Sequence, residues 1–281
     1  MQNLQFLIDM LTKGRKIHIS VLDLSGILDT PSTKIIFANT IHSKKFCDIA
    51  KSTEKGYHSC LYCKKLANTK AITSKKPFYG HCIYGIYEVA MPVVIGERVV
   101  AIVYVGNAIV NINYTNSRLD KVCRHTNVDR KKLYELTQES EFCNNADELL
   151  RIAEIVSDYI KILCVKEPKT SASMHWLVSA LKQYAERMCC FNPTLKDLSV
   201  VYHKNEKYMG RLFIKEMHMS FHEYCLLLKL QKAEALLLGT KDKIIDIALE
   251  CGFDNISYFN RTFKKQYGMS PSEYIISKRG K

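Results

Sequence analysis

The spacing of apolar residues differs between the front and the back of the chain. In the front part, short apolar or alternating runs predict strands over residues 16–23, 34–37, 78–87, 89–95 and 98–105. Helices are predicted over residues 46–50, 59–73 and 116–138. Gly96 and Glu97 lie between two of the predicted strands and predict a hairpin turn. The front part is therefore expected to be an α+β domain, a sheet flanked by helices.

The last third is predicted to be all α, with one pattern occurring twice, over residues 195–213 and 244–263. Each copy is a short helix, a turn and a second helix that carries Arg and aromatic residues. In the second copy, Gly252 is suited to the positive φ of a helix end, and Asp254 or Asn255 to capping the next helix. In the first copy the predicted cap is Asn205. Two such units in tandem favour DNA binding.

Periodicity separates the two faces of each second helix. Tyr258, Phe259 and Phe263 are predicted to be core. The outward residues are predicted to be Lys207, Gly210, Arg211 and Lys215 in the first copy, and Ser257, Asn260, Arg261, Lys264 and Lys265 in the second. A single Lys or Arg on a helix is as often a solvated residue as a contact. Their repetition at matching positions favours a nucleic-acid surface.

A helix predicted over residues 221–238 joins the two copies. Its broad apolar face can pack against both and fix their separation; it consists of Leu226, Leu227, Leu230, Ala233, Leu237 and Leu238.

A Pro and a run of small polar residues over residues 166–173 predict a linker, which divides the chain into residues 1–165 and 174–281. The helix predicted just before it, over residues 145–164, has apolar residues spaced three and four apart: Leu149, Ile152, Val156, Tyr159 and Leu163. Two interpretations of this stripe remain open, a short coiled-coil seam in a homodimer and an ordinary amphipathic helix packed on its own domain.

Composition narrows the class of protein. The net charge of +13, from 41 basic and 28 acidic residues, favours a polyanionic partner. The first residues lack the features of a signal peptide, and the most apolar run, residues 89–105, contains Glu97 and Arg98, so neither export nor a membrane span is expected. Eleven cysteines, an odd number, favour reduced thiols in a cytoplasmic protein.

Four front-domain cysteines are candidate zinc ligands. Cys60 and Cys63 have the spacing of a thiolate pair, and Cys47 and Cys82 would complete a set of four. The alternative is burial, because Cys is among the most buried residue types. Candidate ligand-binding residues on and near the strands are Tyr79, Cys82, Tyr84, Tyr87, Glu88 and Tyr104, although aromatic residues on strands are more often core.

The last third, from about Trp176 to Tyr274, resembles the tandem helix-turn-helix domain of AraC/XylS-type transcription regulators. The resemblance rests on Asp246-Ile-Ala-Leu-Glu-Cys-Gly-Phe253, Ser257-Tyr-Phe-Asn-Arg-Thr-Phe-Lys-Lys265 and Tyr267-Gly-Met-Ser-Pro-Ser-Glu-Tyr274, with Arg211-Leu-Phe-Ile-Lys-Glu216 and Met219-Ser-Phe-His-Glu-Tyr224 in the first half.

The AraC/XylS resemblance implies that the two recognition helices enter successive major-groove segments. Base contacts would fall on Lys207, Arg211, Ser257, Asn260 and Arg261, and phosphate contacts on Lys215, Lys264 and Lys265. Gly210 and Ile256 depart from the family pattern. Without a side chain at Gly210, the first helix is expected to depend more on phosphate contacts and DNA shape.

The front part resembles the PocR sensory domain, over about residues 41–110. The matching residues are Phe46-Cys47, Gly56, Cys60, Ala67, Lys76-Pro77, Cys82-Ile-Tyr-Gly-Ile-Tyr-Glu-Val-Ala-Met-Pro-Val93 and Val105-Gly106-Asn107. The resemblance implies a PAS-like fold that senses small hydrocarbon-derived metabolites such as short diols. The family usually has His after the strand cysteine, where this chain has Ile83, with His81 on the other side of Cys82.

Together these patterns predict a DNA-binding transcription regulator, controlled by a small-molecule effector and with no catalytic residues. Its expected partners are an operator duplex, the effector, a second copy of the chain, and RNA polymerase if it is an activator. Two alternatives are a redox- or metal-sensing regulator and a cysteine methyl-acceptor DNA-repair protein. Against the repair protein, the chain has no Pro-Cys-His-Arg acceptor motif and no phosphate-cradling glycine loop.

Overall fold

The structure is a computed structural model that describes residues 3–143, 146–166 and 174–279. The chain divides into two compact units. The first comprises Met1–Trp176 with Val200–His203, and the second comprises Leu177–Ser199 with Lys204–Lys281. Of the predicted linker, residues 167–173 lie outside the described residues.

The first unit combines helices and strands, as expected. In chain order they are α1 (Leu4–Thr12), β1 (His18–Asp23), α2 (Lys45–Ala50), α3 (Glu54–Ser74), β2 (Phe78–His81), β3 (Tyr87–Ile95), β4 (Arg98–Ile109), α4 (Ile112–Thr126), α5 (Arg130–Thr137), β5 (Glu141–Phe142) and α6 (Ala146–Lys166).

The strands pair in the order β1-β4-β3-β2, all antiparallel, and β5 runs parallel to the end of β4. The predicted hairpin turn joins β3 to β4, with Gly96 at φ +59°. Side chains alternate between the two faces of the sheet. On one face, Val89, Val103 and Val105 pack in a core that includes residues of α1 and α6. On the opposite face lie Glu88 and Tyr104, and this second face positions the cavity described below.

A second core in this unit contains buried residues of α2, α4 and α5, such as Phe46, Leu119 and Leu133. Tyr84 belongs to this core, and its hydroxyl donates to the carbonyl oxygen of Ala50 at 2.9 Å. The segment that follows β2 is therefore held against the end of α2.

Two strand predictions were wrong. Residues 34–37 are not a strand, because this segment leads into a 3₁₀ turn (Phe37–Asn39). Asn39 Nδ2 donates to the carbonyl oxygen of Ile19 at 2.6 Å, so a side chain makes the link to β1. Residues 78–87 are not one strand, because the chain turns after His81, with Gly85 at φ +84°.

The helix predicted over residues 116–138 is two helices, α4 and α5. Asn127 ends α4 in the left-handed conformation, at φ +56°, and Asp129 caps α5 by accepting from the backbone N–H of Lys132. Asn127 thus ends the first helix and Asp129 begins the second. The spacing of apolar residues alone did not reveal this break.

The stripe on α6 packs within its own unit. Leu149, Ile152, Val156 and Leu163 are buried in the core that includes β3 and β4, and Tyr159 packs against that core. Of the two interpretations of the stripe, the structure therefore has the amphipathic helix packed on its own domain. The first residue of the predicted helix, Asn145, lies outside the described residues.

The remaining helices are α7 (Trp176–Met188), α8 (Leu195–Val201), α9 (Glu206–Met217), α10 (Phe221–Gly239), α11 (Ile244–Glu250), α12 (Ile256–Tyr267) and α13 (Pro271–Arg279). The helix-turn-helix pairs are α8 with α9 and α11 with α12, and α10 joins them. The predicted apolar face of α10 is buried at Leu230, Ala233 and Leu237, whereas Leu238 is 40% exposed. None of the described helices is long and apolar enough to cross a membrane.

Candidate nucleic-acid interface and ligand cavity

The second recognition helix, α12, is fixed by a cap and by two aromatic residues. Asn255 Oδ1 accepts from the backbone N–H of Tyr258 at 2.9 Å, which makes Asn255 the cap and not Asp254. Phe259 and Phe263 are fully buried beside residues of α10 and α11. This leaves one face of α12 exposed, and it carries all five predicted contact residues: Ser257, Asn260, Arg261, Lys264 and Lys265.

Tyr258 was predicted to be core, but its side chain is 37% exposed. The guanidinium carbon of Arg261 lies 5.7 Å from the centre of its ring, within the range of a cation–π contact. Tyr258 therefore borders the exposed face and steadies the side chain of Arg261. Aromatic composition favoured burial, whereas the position of Tyr258, one residue before Phe259, already indicated a different helix face.

The first recognition helix, α9, repeats this design. Asn205 Oδ1 accepts from the backbone N–H of Tyr208 at 3.1 Å, and Met209 and Phe213 are fully buried. The predicted contact residues Lys207, Arg211 and Lys215 are exposed. Gly210 is half-buried, and a Cβ there would lie 3.4 Å from Leu195 Cδ1, so this position points partly toward α8.

The two recognition helices align over a shift of 50 positions, and several key residues match. The shift relates Asn205 to Asn255, Tyr208 to Tyr258 and Arg211 to Arg261. Sequence analysis missed the tyrosines as candidate surface residues, and Tyr208 is 40% exposed. Aligning the two copies at their capping asparagines would have found the pair.

The ends of the two recognition helices also correspond. His218 and Gly268 each end a helix in the left-handed conformation, at φ +57° and +80°. Ser220 then caps α10, and its backbone N–H donates to the Glu223 carboxylate at 2.7 Å. This hydrogen bond lowers the pKa of Glu223. Ser270 and Glu273 repeat the arrangement before α13. Each recognition helix is therefore fixed at both ends.

A small cavity of about 50 Å³ lies in the first unit, beside the face of the sheet that carries Glu88. It is lined by His18, His42, Lys44, Phe46, Cys47, Ala50, Cys60, Cys63, Lys64, Cys82, Ile83, Tyr84, Ile86, Glu88, Gly106 and Asn107. Apolar side chains and thiols thus form much of the wall, and a few charged groups converge on it.

The charged groups of the cavity form a compact cluster. Lys64 Nζ lies 2.7 Å from His42 Nε2 and 3.7 Å from a carboxylate oxygen of Glu88. The other carboxylate oxygen of Glu88 lies 3.3 Å from His42 Nε2. Burial lowers the pKa of His42 well below its ordinary value, so the ring is neutral and its Nε2 accepts from Lys64.

Tyr104 closes the cluster on the sheet side. Lys64 Nζ lies 3.1 Å from the centre of the Tyr104 ring, and the Tyr104 hydroxyl donates to Asn68 Oδ1 at 2.5 Å. Burial lowers the pKa of Lys64, although the Glu88 carboxylate opposes this effect. The cavity therefore presents a donor at Lys64 and an acceptor at Glu88, side by side in an apolar setting.

The four candidate zinc ligands all line this cavity. Burial raises the pKa of each thiol, that of Cys47 to about 11, because the apolar surroundings disfavour the thiolate. In the part of the chain that the structure describes, no group of three or more His, Cys, Asp or Glu side chains is arranged to hold a metal ion. The four thiols thus line one cavity, in surroundings that match the burial alternative.

The predicted ligand-binding residues separate into two groups. Cys82, Tyr84 and Glu88 line the cavity, and Tyr104 borders it through Lys64. Tyr79 is 62% exposed, and Tyr87 lies in the core on the α6 side of the sheet. Neither of these two tyrosines lines the cavity.

Sequence reasoning missed His42 and Lys64. Lys64 follows Cys60 by four residues, which places both on one face of α3, and this spacing was a usable signal. His42 lies in a loop, where periodicity gives no signal. Ile83 lines the cavity at the position where the PocR family usually has His, whereas His81 is exposed, with its ring centre 4.4 Å from that of Tyr114.

Both parts of the chain match known protein families. The sensory domain found in PocR matches residues 1–167, and a helix-turn-helix domain matches residues 198–276. The uncharacterised HTH-type transcriptional regulator YijO of Escherichia coli is 29% identical over 125 residues, 44% of each chain. The HTH-type transcriptional activator RhaR of Yersinia pseudotuberculosis is 36% identical over 81 residues, 28% of each chain.

Among solved structures, the C-terminal domain of AraT, a response regulator from Geobacillus stearothermophilus, is 28% identical, with a TM-score of 0.36. That match covers 38% of this chain and 88% of the other. The chain spans less than half of the length of the curated relatives named above. Because the PocR match covers more than half of this chain, the chain belongs to the family with the sensory domain found in PocR, here joined to an AraC-type helix-turn-helix domain.

Proposed function

We propose that the chain is a sequence-specific DNA-binding transcription regulator of the cytoplasm. One observation carries the proposal: two recognition helices, each capped by Asn and anchored by buried aromatic or Met side chains, expose matching polar and basic residues. If these residues were only solvated, there would be no physical reason for the same residues to recur at the same positions of both helices. The residues 1–165 would form the sensor, 166–173 the linker and 174–281 the DNA-binding domain.

The residues of the exposed faces divide by chemistry. Arg211 and Arg261 occupy the same place on their helices, and a guanidinium can read guanine with two hydrogen bonds. Asn260 suits adenine, and Lys207 and Ser257 lie near the starts of the helices, where base contacts are common. Lys215, Lys264 and Lys265 lie in the last turns and are assigned to phosphates.

We further propose that the cavity beside Glu88 binds the effector. Lys64 and Glu88 offer a donor and an acceptor next to each other, which suits a small neutral molecule with hydroxyl groups, such as a short diol. The raised pKa values of the four thiols make them poor nucleophiles, so the cavity favours reversible binding over methyl transfer or thiol redox sensing.

DNA recognition is tested by selecting duplexes from a random library with the full chain. We expect enrichment of a composite site with two conserved segments about 10 base pairs apart, because two recognition helices on one face of DNA are spaced by one turn. Recovery of no shared sequence after repeated selection would refute specific recognition.

Effector binding is tested by native mass spectrometry of the protein as purified, followed by identification of any released molecule and by titration with 1,2-propanediol as a probe. Glu88→Gln keeps the shape of the side chain and removes its charge, so we expect loss of binding. Glu97→Gln, in the exposed β3–β4 turn, is the matched control. Equal binding by both variants would place the effector elsewhere.

The methyl-acceptor alternative makes a different prediction. After incubation with methylated DNA, a repair protein would gain the mass of one methyl group on a cysteine. A regulator would show no gain in intact mass while still binding DNA.

A further inference from the structure

A second cluster of thiols lies in the DNA-binding unit, away from the cavity. Cys189 and Cys190 belong to the 3₁₀ turn after α7 (Cys189–Phe191), Cys225 lies on α10, and Cys251 ends α11. The Sγ atoms of Cys189 and Cys190 are 4.0 Å apart, and Lys232 Nζ lies 3.7 Å from Cys190 Sγ. Cys189, Cys225 and Cys251 belong to the buried core, whereas neither that core nor the proposed DNA contacts account for Cys190 beside Lys232.

The four thiols differ in access and in charge. Cys189, Cys225 and Cys251 are buried, whereas Cys190 is half-buried and so within reach of solvent. Burial raises the pKa of Cys225 to about 12 and that of Cys251 to about 11. The pKa of Cys190 is lowered by its hydrogen bond with the Cys189 thiol and by the ammonium group of Lys232, which lies 3.7 Å from its sulfur. Of these four sulfurs, Cys190 is therefore the nucleophile.

The groups that face Cys190 come from two helices besides its own turn. From α10 these are Lys229 and Lys232, whereas Cys225 interacts with the neighbouring Cys189. At the end of α11 lie Cys251 and Glu250, whose carboxylate is 3.2 Å from Lys232 Nζ. The two lysines favour the thiolate, and Glu250 partly offsets Lys232.

We propose that Cys190 is a site of reversible thiol–disulfide exchange with low-molecular-weight disulfides, and that its modification weakens DNA binding. The Cys190 thiolate attacks one sulfur of a disulfide R–S–S–R. A new bond forms between Cys190 Sγ and that sulfur, the S–S bond of the reagent breaks, and its electron pair leaves with the other sulfur as a thiolate. Cys190 is oxidised and the leaving sulfur is reduced, and an excess of free thiol reverses the step.

Cys190 is in close contact with the turn of the second helix-turn-helix. A Cβ at Gly252 would lie 2.1 Å from the carbonyl oxygen of Cys190, so the two backbones touch. Lys232 Nζ reaches both Cys190 Sγ and the carbonyl oxygen of Glu250, at 3.7 and 3.2 Å. A group attached to Cys190 would displace Lys232 and press on this turn, which leads directly to Asn255, the cap of α12.

The experiment treats the full chain with glutathione disulfide and maps the product by peptide mass spectrometry. We expect the first modification at Cys190. Reaction of Cys190→Ser should be at least about tenfold slower, because burial raises the pKa of the half-buried cavity thiols, Cys47, Cys60, Cys63 and Cys82, and keeps them protonated. Cys225→Ala is the matched control within the cluster and should react like the unchanged protein. The proposal would be overturned if the Cys190→Ser variant were modified at another cysteine as fast as the unchanged protein is modified at Cys190.

The pH profile separates a thiolate from a merely accessible thiol. In Lys232→Gln the thiolate loses its neighbouring ammonium, so the pKa of Cys190 should rise. We expect slower modification at pH 7 and a half-maximal rate at higher pH than in the unchanged protein. An unaltered profile would contradict the assigned role of Lys232.

The effect on DNA rests on the proposed function, and it is measured with the duplex selected above. The modified chain should bind this duplex at least about tenfold more weakly, which is a loss of about 1.4 kcal/mol in binding free energy. Reduction should restore the original affinity. Cys190→Ser should bind and should not respond to the disulfide. Modification at Cys190 with unchanged affinity would refute the regulatory part. Failure of the reduced protein to bind any duplex would instead refute the proposed function, while the peptide mapping still decides the chemistry.

Discussion

Arg211 and Arg261 have the same surroundings on two different helices. Each follows a capping Asn by six residues and a partly exposed Tyr by three, and each lies two residues before a fully buried Phe. These neighbours fix how each helix is rotated, so the guanidinium groups are directed outward by the packing beneath them. Recognition of DNA, as proposed, depends on this placement.

Replacement of Arg261 should change specificity, whereas replacement of Lys264 should change affinity alone. Arg261→Ala is expected to cost roughly 1–3 kcal/mol at the selected site and to relax base preference at one position. Lys264→Ala should weaken binding to all duplexes alike and lower the salt dependence of the affinity by the amount of about one phosphate contact. Fluorescence anisotropy with selected and scrambled duplexes across a salt series measures both. If both variants lost the same binding free energy on both duplexes, Arg261 would not make a base contact.

Gly252 and Gly268 test the backbone of the second helix-turn-helix. Both have positive φ, +79° and +80°, but a Cβ at Gly252 would collide with the backbone of Cys190, whereas one at Gly268 meets no atom within 4 Å. Gly268→Ala should cost about 1–2 kcal/mol from backbone strain alone. Gly252→Ala should cost clearly more. Urea denaturation followed by circular dichroism compares the two, and equal costs would show that the contact with Cys190 relaxes freely.

At the residue level, the sequence predicted the exposed faces of the recognition helices but not the cavity. Helical periodicity alone places Lys207 and Asn260 outward, because the repeat of the helix determines which residues share a face. The cavity joins His42 from a loop, Lys64 from α3 and Glu88 from β3, and only tertiary structure brings such distant segments together. For the same reason, Tyr87 was assigned to a ligand site although it faces the opposite core.

Helix α6 is an element whose pattern has two meanings. Spacings of three and four residues fit both a coiled-coil seam and a helix packed on a sheet, and periodicity does not identify the partner. The structure packs this stripe against its own sheet. If the stripe were a dimer seam, Val156→Asp would disrupt a dimer and so abolish effector control. Because Val156 is fully buried in the sensor core, the variant now tests stability.

Val156→Asp should unfold the sensor domain or cost it several kcal/mol, because it places a carboxylate in an apolar core without a partner. Ile162→Asp, on the same helix but 50% exposed, is the matched control and should change stability by less than about 0.5 kcal/mol. Denaturant titration of the full chain measures both. A Val156→Asp protein as stable as the control would show that α6 is not anchored by this stripe.

Most of the strands were predicted because their apolar runs are long, whereas the errors fell where a side chain or a turn replaces regular pairing. Residues 34–37 are apolar enough for a strand, yet Asn39 links this segment to β1 with its side-chain amide. The break between α4 and α5 depends on Asn127 in the left-handed conformation. The spacing of apolar residues does not predict the backbone conformation of a single residue.

In the chain as a whole, a sensory domain of the kind found in PocR is followed by a helix-turn-helix domain. An effector can control DNA binding only if it has different affinities for two states of the protein. The net charge of +13 adds a general attraction to DNA, which makes association fast and dependent on salt. The charge alone would bind any sequence, so in the proposed function the two exposed helix faces supply the specificity.

The most direct test of the central claim is chemical footprinting of the selected duplex by the full chain and two variants. The account predicts two protected major-groove segments on one face of the DNA, about 10 base pairs apart. Arg211→Ala should weaken protection in one segment and Arg261→Ala in the other. A single protected segment, or two variants that weaken the same segment, would contradict recognition by two helices.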